Sequence, residues 1–274
     1  MLEFRLRNFR RDKKKMEIVW SMDNPILLSF EEEIALAKDY SEYISLGLDK
    51  ILKFLERESV HSVDNVLKSN NLKPLIILHD SKIGEEYNEE DFQKIYDISK
   101  ELNIPYFLVN PAEKPENLSS IVAIDVFNRN LKKLLNFVEI PIVLRIKSKS
   151  IVNTFGRGWK IAQGNEKIFL LLDTFDFYSS EEDLDVLKDK DLSKIKFVHL
   201  KDAENVPRYY LRETQQLFPG EGVIPLMQIL IYLRDGGFDG YIVPEVRRPE
   251  YGKMDPKEYA NRLFKSTKYL LSNL

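Results

Sequence analysis

The chain has 274 residues, 43% of them hydrophobic, no cysteine and a formal charge of −3, which suits one large α/β domain or two small ones. Zero cysteines exclude disulfides and thiolate metal sites, and no apolar run approaches the ~20 residues of a membrane span. The basic N-terminus has no apolar stretch behind it, so no signal peptide is expected; the composition fits a cytoplasmic protein, and high Lys, Glu and Ile resemble a thermophile's.

Charge is unevenly spread. Residues 1–15 carry Arg5, Arg7, Arg10, Arg11, Lys13, Lys14 and Lys15 against Glu3 and Asp12, a local +5 that leaves −8 on the remainder. A basic arm of this kind can touch an anionic surface or stay solvated, while an acidic body argues against a protein that wraps nucleic acid. The expected organisation is an arm over 1–15 and one domain over 16–274.

Met16–Met22 reads as a first strand, and Ser29 with Glu32 forms a capping box for a helix over Glu31–Leu46. Lys50–Leu55 reads as a second strand, with the alternative that the helix runs on through it. A helix over Ser62–Ser69 leads to a buried strand, Leu75–Leu78, that ends at His79-Asp80. Asn88 caps the next helix, and Ile104–Val109 is a strand ending at Asn110-Pro111. Residues 116–137 are helical, Ile140–Ile146 is a strand, and a helix follows over 150–163. The segment Ile168–Tyr178, IFLLLDTFDFY, opens with an unbroken apolar run, as a strand covered on both faces does, and then presents Asp173 and Asp176. Beyond a helical turn at Leu184–Leu187, Ile195–Leu200 is a strand carrying His199 and leading into Lys201-Asp202. Leu226–Arg234 is a helix and Tyr241–Val246 the last strand. Asp255 and Pro256 start the final helix.

Eight strands alternating with eight helices point to a single (β/α)8 TIM barrel, and no GxGxxG or GxxxxGK[ST] follows any strand to favour a doubly wound sheet. Strand C-termini converge on one mouth in a barrel, which gathers His79, Asp80, Asn110, Arg145, Asp173, Asp176, His199, Asp202 and Glu245. Asp173, His199 and Glu245 come from three consecutive late strands. One imidazole and two carboxylates suit a divalent ion such as Zn, Mn, Co or Mg, and a metal held with open positions can polarise a carbonyl. Alternatively, Glu245 pairs with Arg247 or Lys201. Phe218–Gly222, FPGEG, is a turn that lets backbone approach a ligand, and Arg208 and Arg212 on the same excursion suit phosphate or carboxylate.

The segments LLLDTFDFY, KFVHLKDAE, LFPGEGVIPL and FDGYIVPEV resemble the xylose isomerase-like TIM barrel superfamily over 165–272, which includes the AP endonuclease family 2 proteins; over 1–140 only the β/α rhythm agrees. The superfamily holds sugar-phosphate isomerases and epimerases, inosose dehydratase, hydroxypyruvate isomerase, 3-dehydroshikimate dehydratase and endonuclease IV. The resemblance implies a divalent metal held by Asp173, His199 and Glu245, with a further Glu on strand five. Two departures stand out. Arg145 lies at or next to the strand-five ligand position, and Asp176 stands where the family's Asp-x-x-His motif has His.

A guanidinium there would repel a dication or replace it by bridging Asp173 and Glu245. The expected activity is isomerisation or epimerisation (or dehydration) of a sugar or sugar phosphate, with metal-assisted proton transfer next to a carbonyl. Glu245 and Asp176 are the catalytic candidates; Arg145, His79, Asn110, Arg208 and Arg212 are the substrate-binding candidates. The alternatives are a catalytically altered barrel that binds a sugar or anionic metabolite through Arg145, and an endonuclease IV-like repair enzyme. The last needs several histidines around three zinc ions, and this chain has only His61, His79 and His199. The expected partner is a small molecule, neither membrane nor nucleic acid; homo-oligomerisation is left open.

Overall fold

The computed structural model describes residues 16–188 and 190–274; the basic arm expected over 1–15 lies outside them. Eight parallel strands form the barrel: β1 (Glu17–Ser21), β2 (Tyr43–Gly47), β3 (Lys73–Leu78), β4 (Phe107–Pro111), β5 (Ile142–Ile146), β6 (Ile168–Asp173), β7 (Ile195–Leu200) and β8 (Tyr241–Pro244). They run in the order β3-β2-β1-β8-β7-β6-β5-β4, and the ring closes where Ile76 of β3 bridges Tyr106, just before β4. A two-residue strand, Lys82–Ile83, extends the β4 edge at the mouth.

The helices are α1 (Phe30–Ala37), α2 (Leu48–Leu55), α3 (Val60–Ser69), α4 (Glu89–Glu101), α5 (Ser120–Phe137), α6 (Phe155–Gln163), α7 (Thr174–Ser179), α8 (Leu226–Asp235) and α9 (Pro256–Ser272). Start signals behave as their chemistry requires. Ser29 and Glu32 form the reciprocal capping box of α1, and the Asp255 carboxylate accepts from the Lys257 and Glu258 amides at the head of α9.

One assignment from the sequence is reversed. The stretch read as a helix through Leu46 stops at Ala37, and Tyr43–Gly47 is β2. Lys50–Leu55, expected to be a strand, belongs to α2. Ile34, Ala37, Tyr40 and Ile44 keep helical spacing across a break that has neither Gly nor Pro, which hides it. Ser41 ties the chain after the break to the sheet: its hydroxyl, with one proton to donate, lies 2.8 Å from the Ile18 carbonyl and 2.7 Å from that of Tyr43, and accepts from the Tyr43 amide at 2.9 Å. In α2, Ile51 and Phe54 share the buried face while Leu52 points outward.

Alternation along the strands sorts two cores. Val19, Leu108, Val143, Leu171, Phe197 and Val243 pack together as the barrel interior. Their neighbours Trp20, Phe107, Leu144, Leu172, Val198 and Ile242 belong to the larger core between sheet and helices, with Ile34, Phe127, Ile229 and Phe264. Two residues further along each strand, the interior positions become Ser21, Asn110, Arg145, Asp173, His199 and Glu245. The barrel is apolar to that level and polar above it.

Candidate metal centre and its charged wall

Register brings the late-strand residues together. Asp173 pairs with His199 across β6 and β7, and Val243 pairs with His199 across β7 and β8. Glu245, two residues past Val243, therefore sits level with Lys201, two residues past His199. All four side chains are buried, and one ligand atom each from Asp173, His199 and Glu245 lies within 4.8 Å of the other two.

The two carboxylates are held from several sides. Asp173 Oδ1 accepts from the amides of Phe175 (3.0 Å) and Asp176 (3.2 Å), because Asp173 caps α7. Its Oδ2 meets Arg145 Nη2 at 3.0 Å and Lys201 Nζ at 3.0 Å. Glu245 Oε1 meets Lys201 Nζ at 3.1 Å and Arg247 Nε at 3.6 Å. Glu245 Oε2 accepts from the Ser21 hydroxyl at 2.9 Å and lies 3.3 Å from His199 Nδ1. Arg247 in turn pairs with Asp23. Glu245 thus meets both cations named for it from the sequence, Lys201 and Arg247.

Lys201 is the residue that sequence reasoning undervalued. The cation spanning Asp173 and Glu245 is its ammonium, whereas Arg145 spans Asp173 and Asp176, the latter at 3.7 Å. The expectation that Arg145 would bridge Asp173 to Glu245 is corrected accordingly. The reason is position in the sheet: Arg145 stands on β5, beside Asp173 on β6 but three strands from the Glu245 strand, while Lys201 follows β7, between the two acidic strands. The i, i+2 spacing of His199 and Lys201 carried that signal. Thr174 fixes the position, its hydroxyl donating to the Lys201 carbonyl at 2.7 Å.

Electrostatics follow from this packing. Burial pushes the Asp173 carboxyl up, but Lys201 and then Arg145 outweigh it and leave its pKa below the usual value. Burial acts likewise on Glu245, where His199 and Lys201 hold the group well below the ordinary range. Asp176 goes the other way. Burial, and then the Asp173 charge, push it up to about 6 against the opposing effects of Arg145 and Ser148. Ser148, also unforeseen, donates its amide (3.1 Å) and hydroxyl (2.8 Å) to Asp176 Oδ1. Lys201 is lowered by burial yet raised overall by Asp173 and Glu245.

A divalent ion fits this donor set. Both ring nitrogens of His199 are buried without a well-formed hydrogen bond: Nε2 has no partner and Nδ1 only the 3.3 Å approach of Glu245 Oε2, a cost of roughly 1–3 kcal/mol that coordination by one of them would offset in part. An imidazole and two carboxylates on three adjacent strands match the ligand types of Zn, Mn or Co.

The remaining candidates are dispersed. Asn110 is buried at the mouth and donates to the His79 carbonyl at 2.6 Å. His79 follows the inward-facing Leu78 and packs on the helix side, its ring 5.9 Å from Phe92 and Nε2 3.1 Å from the Leu108 carbonyl. Burial lowers its pKa to about 4. Arg208 lies over the Tyr178 ring at 4.1 Å. Arg212 lines a cavity of about 270 Å³ with Lys82, Lys147, Lys149, Asp176 and Glu213. Asp202 serves structure: it accepts from Ala203, Gly220 and Ile224 amides and anchors the FPGEG turn. Gly222 is required there, since a Cβ would stand 2.1 Å from the Ala203 carbonyl oxygen. Of the three histidines, His199 alone joins the charged wall, because His61 is exposed on α3.

Known proteins resemble the chain in sequence and in fold. The chain is 28% identical over 238 residues to an inosose isomerase of Halalkalibacterium halodurans, covering 81% of this chain and 83% of that protein. A shorter match, 32% over 117 residues, links it to an inosose dehydratase of Salmonella typhimurium, covering 39% of this chain and 38% of that one. Among solved structures, the IOLI protein with a bound zinc atom superposes with a TM-score of 0.85 at 21% identity, over 94% of this chain and 99% of that one. No helix among the described residues is long and apolar enough to cross a membrane. The family model described as the xylose isomerase-like TIM barrel matches residues 33–269, and the chain belongs to that family.

Proposed function

We propose that the protein is an isomerase of a sugar-like ketone, with an inosose-type cyclic keto-polyol as the substrate class and a divalent ion as cofactor. The observation that carries this reading is the buried triad of Asp173, His199 and Glu245 with the imidazole Nε2 unpartnered. The inosose isomerases to which the chain is similar support the substrate class. Asp173, His199 and Glu245 would hold the ion, which supplies Lewis-acid polarisation of the substrate carbonyl and lowers the acidity barrier at the adjacent carbon.

The chain's own residues divide the proton work. Glu245 is held ionised and stands ready to accept a proton at Oε2, where Ser21 orients it. Asp176, pushed up to about 6, is the group matched to carrying a proton near neutral pH, since general acid–base groups work best close to the operating pH. Arg145 in place of a second strand-five carboxylate removes one half of a two-base epimerisation, which favours transfer of a proton between neighbouring carbons on one face. Asn110 and Arg212 contribute polar contacts to the substrate at the mouth, and Lys82, Lys147 and Lys149 add positive charge beside them.

The test is deuterium exchange. Purified protein with Mn²⁺ or Zn²⁺ and an inosose in D₂O should incorporate deuterium next to the carbonyl, followed by NMR, and Glu245→Gln should slow this by at least about 100-fold. No exchange by the wild type with either metal would refute the isomerase reading. A second reading, an altered barrel that binds an anionic metabolite, is favoured by one observation, the Arg145 and Lys201 cations on the Asp173 oxygen. It would show as binding without exchange.

A further inference from the structure

Lys201 occupies the place that joins the two carboxylates of the triad. Its ammonium lies 3.0 Å from Asp173 Oδ2 and 3.1 Å from Glu245 Oε1, and it is 1% exposed. Arg145 Nη2 holds the same Asp173 oxygen at 3.0 Å. A dication coordinated by those oxygens at about 2.0–2.2 Å would stand closer to the ammonium than two cations in a buried space tolerate. Lysine differs from arginine in having a compact charge on a flexible four-carbon stem, so its head can leave while its backbone stays. The backbone here is pinned, with the Lys201 amide donating to Thr174 Oγ1 at 3.0 Å and the carbonyl accepting from the same hydroxyl.

We propose that Lys201 is a built-in competitor for the metal position: its ammonium exchanges with the divalent ion on Asp173 and Glu245, and Arg145 biases the exchange toward the lysine. Resting on the metal assignment above, this deepens it by naming what sets affinity. Binding is therefore a swap of one cation for another rather than the filling of an anionic pocket. With Arg145 and Lys201 in place, Asp173, Asp176 and Glu245 already have most of their charge compensated. The ion gains less here than it would in a site with a fourth carboxylate and no ammonium. Removing either cation should tighten binding, and Lys201 should matter more because it alone touches both ligand oxygens.

The experiment measures Zn²⁺ and Mn²⁺ affinity of the full chain by competition with a chromophoric chelator, checked by metal content after dialysis. Variants are Lys201→Met, Arg145→Gln and Asp173→Asn, each with its thermal midpoint recorded without metal. Lys201→Met should bind at least tenfold more tightly than wild type, with a larger metal-induced rise in thermal midpoint, and Arg145→Gln severalfold more tightly. If Lys201→Met fails to fold, Lys201→Gln and Arg145→Gln carry the comparison. Equal or weaker affinity in the folded lysine and arginine variants overturns the proposal while leaving the metal reading intact. Affinity in wild type that Asp173→Asn does not change overturns the metal assignment itself, and the competition with it.

Discussion

Strands β5 to β7 bring Arg145, Asp173 and His199 to the mouth, with Lys201 and Glu245 just past β7 and β8, whereas β1, β2 and β4 bring Ser21, Gly47 and Asn110. The first arc packs five ionisable side chains into one buried wall; the second is neutral and small. The wall is held by mutual compensation, each carboxylate facing at least one cation, so its members stand or fall together. The neutral arc makes separable hydrogen bonds, as between Asn110 and the His79 backbone. Charge gathers on one arc of the mouth, and the opposite arc lines it with small neutral side chains.

The largest expected effect breaks the charged arc. Asp173→Leu leaves Arg145 and Lys201 buried with one fewer partner, and removal of one member of a buried pair costs about 3–5 kcal/mol. Urea denaturation should show that loss in the midpoint with little change in slope; a loss under about 1 kcal/mol would mean the wall is not mutually dependent.

A smaller effect lies on the neutral arc and appears through pH. The His79 pKa is about 4 in the folded chain, held down by burial, against ~6.5 when unfolded. A depressed histidine contributes stability that is present above the unfolded pKa and lost as pH falls toward the folded one. Between about pH 6.5 and 4 the loss should approach roughly 3 kcal/mol. The difference between wild type and His79→Gln in thermal midpoint should therefore change across that window, and a constant difference would argue that His79 titrates normally.

The smallest effect tests separability. Asn110→Ala removes one hydrogen bond and should cost about 1 kcal/mol, additive with Asp173→Leu in the double variant. Coupling well above about 0.5 kcal/mol would show that the two arcs act as one.

These arcs also differ in how readily the sequence disclosed them. On the late side, unbroken apolar runs end in a single acidic or basic residue, as at Leu170–Asp173 and Phe197–His199, so strand, exit and candidate ligand are visible at once. On the early side β2 hid behind a helical spacing that ran through Ser41, because a break followed by a serine tied to the sheet leaves no Gly or Pro to see. The triad was legible because each member lies at, or within one residue of, the end of a strand. Lys201 was less so, since its importance depends on which oxygens its long side chain reaches. Ser21 and Ser148 were not legible at all: a serine hydroxyl becomes informative only once its carboxylate partner, 224 or 28 residues away, is known to be beside it.

The Ile76–Tyr106 bridge has a consequence for motion. Everywhere else the ring is joined by at least two registered pairs, but β3 and β4 meet at one. Local opening follows the least-bonded path, so this seam should be the first part of the barrel to exchange its amides with solvent. It lies on the far side of the ring from the charged wall and below the mouth, where Lys82–Ile83 ties the chain after β3 to β4. The barrel can thus loosen at this seam while the charged wall, whose strands are joined by registered pairs on both sides, keeps its geometry.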